Sequence, residues 1–491
     1  MAAGWPFNQT DPPMRRLFAI LISVATLAFV GPSLALAQAT SFFSPTVKRF
    51  LAGFLAALLW ASPSLALTPG QKMAVLNGIQ GWSLPGSSAD LFFSRNGGSC
   101  AINRISAPCA SQYAVVRASQ ETCLWSDGHV SYAANNVGCI TDLGFGSTWT
   151  ASTNLQIQSQ FATGWLLAGG ALSLAAVSAP DNTLTGVKFT EDSSTGGHQI
   201  YHASFVIVSG TTYTTSCFFK HGTARYSSCL FQTNLGTDWL VVTADLQAGT
   251  ITQHSAGATA TYISSSITPF INGWYRVSVT GSVATQVAGY VVATLENTGT
   301  PTYVAFGNTS FTGDGVSYNY FWGAQAEAQT LPTPYIPTTT VAVARAANAN
   351  TLTGAALTAA LNAKAERFVT NQVAGGTTPR LIQYSGGAFS DYASSTSVLI
   401  SNGTNTATAT IGASGTYSGL VKSALDMGAS IAAVANGGTQ ATSANAWADN
   451  TGTVYFGNNN GSNSCNCFIL RATFSLVFGA FDNMTTGSNP Q

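Results

Sequence analysis

His198 and His202, in His198-Gln199-Ile200-Tyr201-His202, have the i, i+4 spacing with which a metalloprotease helix presents zinc ligands. The glutamate such a site needs as its base is missing. The run is also β-rich, which puts both histidines on one strand face with Ile200, as part of a partly exposed sandwich surface. Glycosidases of sandwich fold need two carboxylates across one cleft. Glu191-Asp192 lies in a Ser/Thr/Gly turn, while Glu296 and Glu327 each end a strand, so none of them forms that pairing. Asp314-Gly315 offers oxygen to a structural calcium ion, against the simpler reading of a plain turn. A G-x-S-x-G elbow, a P-loop, a dinucleotide-binding glycine fingerprint and an EF-hand loop are all missing. The residues predict no catalytic site and require no cofactor, so binding is expected rather than catalysis.

For ligand contact, Trp274 and Arg276 stand out. Strand alternation sets them opposite Tyr275, Val277 and Val279. With the aliphatic set inside, Trp274 is exposed or half-exposed beside a guanidinium, a pair that can stack on a sugar and hydrogen-bond it. The alternative is that Trp274 covers a sandwich edge with Arg276 lying over it. Trp239, at the head of its own strand, is a third candidate glycan contact. Composition suits such a partner, because only 7% of residues are charged against roughly 25% in an average soluble protein. Lys+Arg and Asp+Glu both number 18. No net field attracts a polyanion, which argues against nucleic acid. A neutral, hydroxyl-rich surface with 10 Trp and 16 Tyr fits surface glycans, although most of those rings are expected in sandwich cores.

Two export-like segments precede this region. One runs from Met14-Arg15-Arg16 through Leu17 to Val30 and ends near Ala35-Leu36-Ala37; the other runs from Lys48-Arg49 through Phe50 to Trp60 and ends near Ser64-Leu65-Ala66. Each has a basic start, a short apolar centre and a small-residue exit. The tandem leaves three starts open, Met1, Met14 or an alternative start codon at Val47, and a membrane hairpin is the rival to a signal peptide. Export to the periplasm, cell surface or medium follows if a signal is used. The 8 cysteines fit an oxidising compartment. A hairpin centred on Thr223 would set Cys217 opposite Cys229 for a cross-strand disulfide. Cys100 with Cys109 and Cys123 with Cys139 are further candidate pairs, while Cys465-Asn466-Cys467 is half of a metal motif without its second half.

The elements that must position these residues are almost all β. Strand signals begin at Asp90, and Asp127-Gly128 between Cys123–Trp125 and Val130–Tyr132 marks a hairpin. From about 145 to 340, short strands and turn residues alternate as in an all-β sandwich. Expected strands are Thr185–Thr190, Gln199–Val208, Thr211–Lys220, Tyr226–Gln232, Trp239–Asp245, Trp274–Thr280, Tyr290–Asn297 and Tyr318–Glu327. In the last, Tyr318, Tyr320, Trp322, Ala324 and Ala326 are expected to face the core together, with Asn319, Gln325 and Glu327 opposite. Pro332, Pro334 and Pro337 then hold a connector extended. The remainder reads as a second β unit opening with a short helix at Ala355–Ala363 and carrying an Asn436-Gly437 hairpin turn. The expected division is 1–67 signal-like, 68–144 a small cysteine-bearing lead-in, 145–340 and 341–491 two sandwiches.

Several of these phrases resemble bacteriophage tail and fibre proteins. They are Ala133-Ala134-Asn135 and Thr153-Asn154-Leu155, then Asp181–Thr190, Thr211-Thr212-Tyr213, Asn272–Val279 and Phe321–Glu327 running on through Tyr335-Ile336-Pro337 to Arg345-Ala346-Ala347. Their order matches the family over most of 145–340. The family usually has Pro-Arg after the Ala-Ala-Asn and an arginine before Thr-Asn-Leu, where this chain has Gly138-Cys139 and Ser152. The resemblance implies a jelly roll like carbohydrate-binding modules and a glycan-binding or particle-building role, with other virion proteins as partners and oligomers allowed. The later motifs, Lys422–Leu425, Ile431–Gly438, Val454–Gly457 and Cys467–Arg471, look like a degenerate laminin-G or concanavalin-A-like sandwich. An adhesin secreted by bacteria and built from the same modules is the alternative, and a polysaccharide-cleaving enzyme the third reading.

Overall fold

Strands rich in Val, Thr, Phe and Tyr dominate the described residues, and every strand pair among them is antiparallel. The computed structural model describes residues 87–476 apart from 94–98, 103–104, 108, 147, 162, 203–204, 285–287, 373–378, 395–396, 411–418, 428–429, 436–438 and 444–451. The signal-like segments, the expected helical turn at Gln71–Ile79 and the Asn436-Gly437 turn lie outside them. The fold is all-β and built as sandwiches.

The first sandwich faces two sheets across one core. One sheet orders its strands as Gly170–Val177, Gly186–Glu191, Tyr318–Glu327, Thr212–His221, Trp274–Val283 and Ala260–Pro269. We call it the connector-side sheet. The opposing sheet runs Leu166–Ala168, Gln199–Tyr201, Ala288–Glu296, Tyr226–Thr233, Trp239–Asp245 and Thr250–Ala256. Alternate residues of both, among them Phe189, Phe219, Val277, Phe321, Phe231, Leu240 and Val291, interdigitate between them and are buried. Their burial from water is what drives the two sheets together.

Cys217 and Cys229 are bonded to each other with Cα atoms 5.9 Å apart, but not across a hairpin. Cys217 lies in the connector-side sheet and Cys229 in the opposing one, so the bond staples the two layers. The intervening loop makes the switch because the N–H groups of Thr223 and Ala224 donate to the Tyr318 carbonyl. That contact keeps the first strand beside Tyr318–Glu327 and releases the second to the other sheet.

The second sandwich is not formed by the C-terminal region alone. One sheet runs Ile105–Ala107, Ser99–Ile102, Ser87–Phe92, Cys467–Ser475, Ala365–Gln372, Gly419–Met427, Ile431–Ala435 and Ala441–Ser443. The other ends with Ala349–Leu352 beside Tyr113–Val116. The segment expected as a separate lead-in thus lends strands to both sheets made by 341–491, and the first sandwich is inserted between them. The α-helix Gly354–Leu361 packs Ala356, Ala359 and Ala360 into that core. The hairpin Glu121–Leu124 and Val130–Ala133 turns at Asp127-Gly128, with Gly128 at φ 82°.

Tyr318–Glu327 departs from simple alternation. Gly323 has φ 65°, and pairing with Thr212–His221 shifts register between Ser216 and Phe218. This bulge inserts one residue and reverses the faces. Before it Phe321 points into the sandwich core and Trp322 outward; after it Ala324 and Ala326 point inward. Trp322, Gln325 and Glu327 therefore share the outer side, and the expected single core face of Tyr318, Tyr320, Trp322, Ala324 and Ala326 is split. Only glycine fits, since a Cβ here would lie 2.6 Å from the Phe218 ring.

The outer side is sealed by the connector. Glu327 is fully buried and accepts from Gln325 Nε2 at 2.7 Å, Thr333 N at 2.9 Å, Thr333 Oγ1 at 2.6 Å and Ser152 Oγ at 2.6 Å. Gln325 Oε1 accepts from Ile336 N at 2.7 Å. Asn154 Nδ2 donates to the carbonyls of Ala324 and Ile336, and its Oδ1 accepts from Ala326 N. The Thr-Asn-Leu phrase and the Gln-Ala-Glu phrase, far apart in sequence, meet through Asn154. Ser152 supplies a neutral hydroxyl to Glu327.

Candidate functional site

Sealing the connector-side sheet leaves a cleft of about 350 Å³. Its floor is the outer face of Ala260–Pro269 and Trp274–Val283, with Arg276, Ser278 and Thr280 alternating outward. Pro332, Pro334 and Tyr335 of the connector form one wall, Leu124 and Val130 of the Asp-Gly hairpin a second, and Trp149 and Phe468 a third. Ser264, Ser265 and Ser266 rim it, with Ser266 and Ser278 hydroxyls 2.7 Å apart. Rings, hydroxyls and one guanidinium therefore line a single concavity, the composition expected of a small-molecule or sugar site.

Arg276 is the one sequence-predicted contact residue on this lining. Its Nε and Nη2 donate to Ser216 Oγ at 3.1 and 2.9 Å, and Nη1 donates to the Thr333 carbonyl at 2.6 Å. Its guanidinium lies 5.4 Å from the centre of the Phe218 ring. Burial lowers it to about 10, with Glu327 acting in the opposite sense, so it stays cationic at neutral pH.

Trp274 lies on the outward face as alternation requires, yet it is fully buried. The reason is the cover: Phe218, Trp322, Tyr335, Val130 and Ala179 pack around it, and its indole N–H donates to the Ser178 carbonyl at 2.9 Å. The expectation of an exposed Trp274 platform is corrected by the connector and hairpin lying over that face. Trp239 is also buried. Its Nε1 donates to Gly236 O at 3.1 Å, and Tyr303 and Gly307 of the following loop lie against the ring. Neither indole is free to stack on a sugar in this arrangement. Phe270, Trp149, Tyr335 and Phe468 were not legible as site residues, because they come from four separate segments that only the fold brings together.

The remaining candidates have structural partners. His198 and His202 flank the strand Gln199–Tyr201 and are both buried rather than half-exposed. His198 Nδ1 is 2.6 Å from Gly169 O with its ring against Phe311, while His202 packs on Trp165. Asp314 caps its own turn, accepting from Val316 N, Ser317 N and Ser317 Oγ; these bonds hold it down at about 2. Its N–H donates to Glu191 Oε1 at 2.8 Å, and burial pushes Glu191 upward. Among the described residues no group of three or more His, Cys, Asp or Glu is arranged to hold a metal ion. Cys465 and Cys467 are bonded to each other, as are Cys123 and Cys139. Cys109 is also disulfide-bonded, and the side chain of its expected partner Cys100 lies outside the described residues. Oxidised cysteines fit an extracellular or exported protein, and no described helix is long and apolar enough to cross a membrane.

Two buried acids lie away from the cleft. Glu296 accepts from Thr294 Oγ1 at 2.6 Å and Ser228 Oγ at 3.0 Å, and burial pushes it up to about 7. Glu366, in the second sandwich, accepts from the Tyr384 hydroxyl and is likewise raised by burial to about 7.

No known family model matches the chain, and no curated protein matches it. Among solved structures, the mouse laminin alpha1 chain, domains LG4-5, is similar at 11% identity, covering 57% of this chain and 85% of that chain with a TM-score of 0.18. A likeness this distant carries no information on sites or partners.

Replacing Trp274 with Ala is expected to cost about 3–5 kcal/mol of stability, the range for emptying a buried indole site, seen as a lowered urea midpoint. An unchanged midpoint with altered ligand binding would restore the exposed-platform reading. Burial raises Glu296 and Glu366 to about 7 in the fold, so their contribution is complete below the ordinary carboxyl value of 4.5 and is lost as pH rises through about 7. Urea midpoints measured from pH 4.5 to 8 should therefore fall. Substituting Glu296→Gln and Glu366→Gln together should flatten that slope, whereas an unaltered slope would refute the assignment.

Proposed function

We propose that this chain is a non-enzymatic recognition module of the phage-tail type that binds surface glycans through the cleft beside Arg276. The observation that carries this reading is the cleft itself, where aromatic rings, serine and threonine hydroxyls and a guanidinium converge. Sugars present apolar ring faces and many hydroxyls, and such a lining can meet both. The ordered phrases resembling phage tail proteins support the same role, as does a surface with few charges.

A second reading, a secreted bacterial adhesin using the same modules, is favoured by one observation. Four disulfide-bonded regions, at Cys109, Cys123–Cys139, Cys217–Cys229 and Cys465–Cys467, fit a protein oxidised after export. Cell fractionation separates the two, with processed chain in the periplasm or medium supporting export and full-length chain in particles supporting a virion role.

The full chain with its disulfides intact should retain at least one glycan class on an array, and soluble glycan should compete it off without releasing reducing ends. Failure to retain any glycan would remove the reading, and reducing-end release would replace it with an enzyme.

A further inference from the structure

Arg276 holds more hydrogen-bonding capacity than its neighbours use. A guanidinium has five N–H donors. Nε donates to Ser216, one N–H of Nη2 also donates to Ser216, and one N–H of Nη1 donates to Thr333. One N–H on each terminal nitrogen is left without an acceptor among the described residues. The group nevertheless lines the cleft and is largely buried.

The charge around it is also unmatched. Arg276 makes no salt bridge among the described residues, where Arg117 pairs with Glu121 at 2.7 Å. Glu327 is the acid acting on Arg276, but it also acts on Arg345, and all four of its hydrogen bonds come from neutral donors. Glu121 acts on Arg345 as well as on Arg117, so three buried cations, Arg117, Arg276 and Arg345, share two buried acids, Glu121 and Glu327. The cluster carries one positive charge more than its acids supply, a costly arrangement unless an anion completes it, and Arg276 is the member of it that lines the cleft. The free N–H pair of a guanidinium matches the two oxygens of a carboxylate.

We propose that the cleft selects acidic sugars, with the carboxylate of a uronate or sialate received by Arg276 and the sugar ring lying between Phe270 and the serine rim. This rests on the glycan-binding reading and narrows it to one ligand class. Ser264, Ser265 and Ser266 supply hydroxyls for the remaining sugar oxygens. Lysine could supply the charge but not the forked donor pair.

The test uses the full chain, with sialyllactose and galacturonate oligomers as probes, each compared with its counterpart whose carboxyl has been reduced to the primary alcohol. The acidic forms should bind at least about tenfold more tightly, the scale of one charge-assisted bidentate contact. Arg276→Lys should lose most of that preference. Because Arg276 is buried and its replacement can perturb folding, Ser264→Trp, at an exposed rim position, provides a second route: it should block the opening and abolish binding of the acidic probes while leaving the melting temperature unchanged. Equal binding of acidic and reduced forms would overturn the acid preference and leave glycan recognition standing. Undiminished acidic binding by Ser264→Trp would place the site elsewhere and overturn the proposal. Retention of no sugar at all would overturn both.

Discussion

The Glu327 carboxyl group is the point at which the first sandwich, its connector and the start of the inserted domain are tied together. Burying such a group is costly unless its acceptors are filled, and here four donors fill them. Two come from Thr333 of the connector, one from Gln325 on the same strand and one from Ser152 at the domain's entrance. Each of these segments, in moving away, would strip at least one hydrogen bond from a buried carboxyl group. Asn154 and Gln325 repeat the logic on either side, bonding backbone groups of Ala324, Ala326 and Ile336. The connector is thus a third layer on the sheet rather than a spacer between domains.

That layer explains what the sequence made legible and what it did not. Strands with strong internal alternation were readable, and Trp239–Asp245 and Tyr318–Glu327 end where expected. Gly170–Val177, Thr250–Ala256 and Ala260–Pro269 were not, because these outer strands are only partly buried and turn few large side chains, such as Leu172, Ile251, Tyr262 and Ile267, to the core. The outward direction of Trp274 and Arg276 followed from pleat geometry alone. Their burial did not, since it depends on Tyr335 and Val130 arriving from distant segments. The bulge at Gly323 hid in a run that reads as perfect alternation, and a lone glycine within a strand is the only local sign of it. Cys217 and Cys229 were recognisable as partners by spacing, while the sheet switch between them required knowing which strand each half would join.

The same constraint shapes the candidate site. With the connector held down, Pro332, Pro334 and Tyr335 become a wall, and Thr333 presents its carbonyl to Arg276. The inserted arrangement brings Trp149 and Phe468, on either side of the insertion in sequence, to the opposite wall. A cleft made this way has fixed sides, which favours recognition of a ligand with defined shape. Its guanidinium is oriented by Ser216 and by the Thr333 carbonyl, so the polarity of the site and the integrity of the fold share residues.

The most direct measurement of this account is amide hydrogen exchange along the connector of the native chain. The N–H groups of Thr333, Ile336 and Thr338 donate to buried side chains, Glu327, Gln325 and Ser159 respectively. They should exchange as slowly as the amides of the adjoining strand Tyr318–Glu327 and be released together with them in denaturant. Exchange as fast as that of the exposed Val304–Ala305 segment, with the strand itself still protected, would contradict the claim that the connector is a locked layer of the fold.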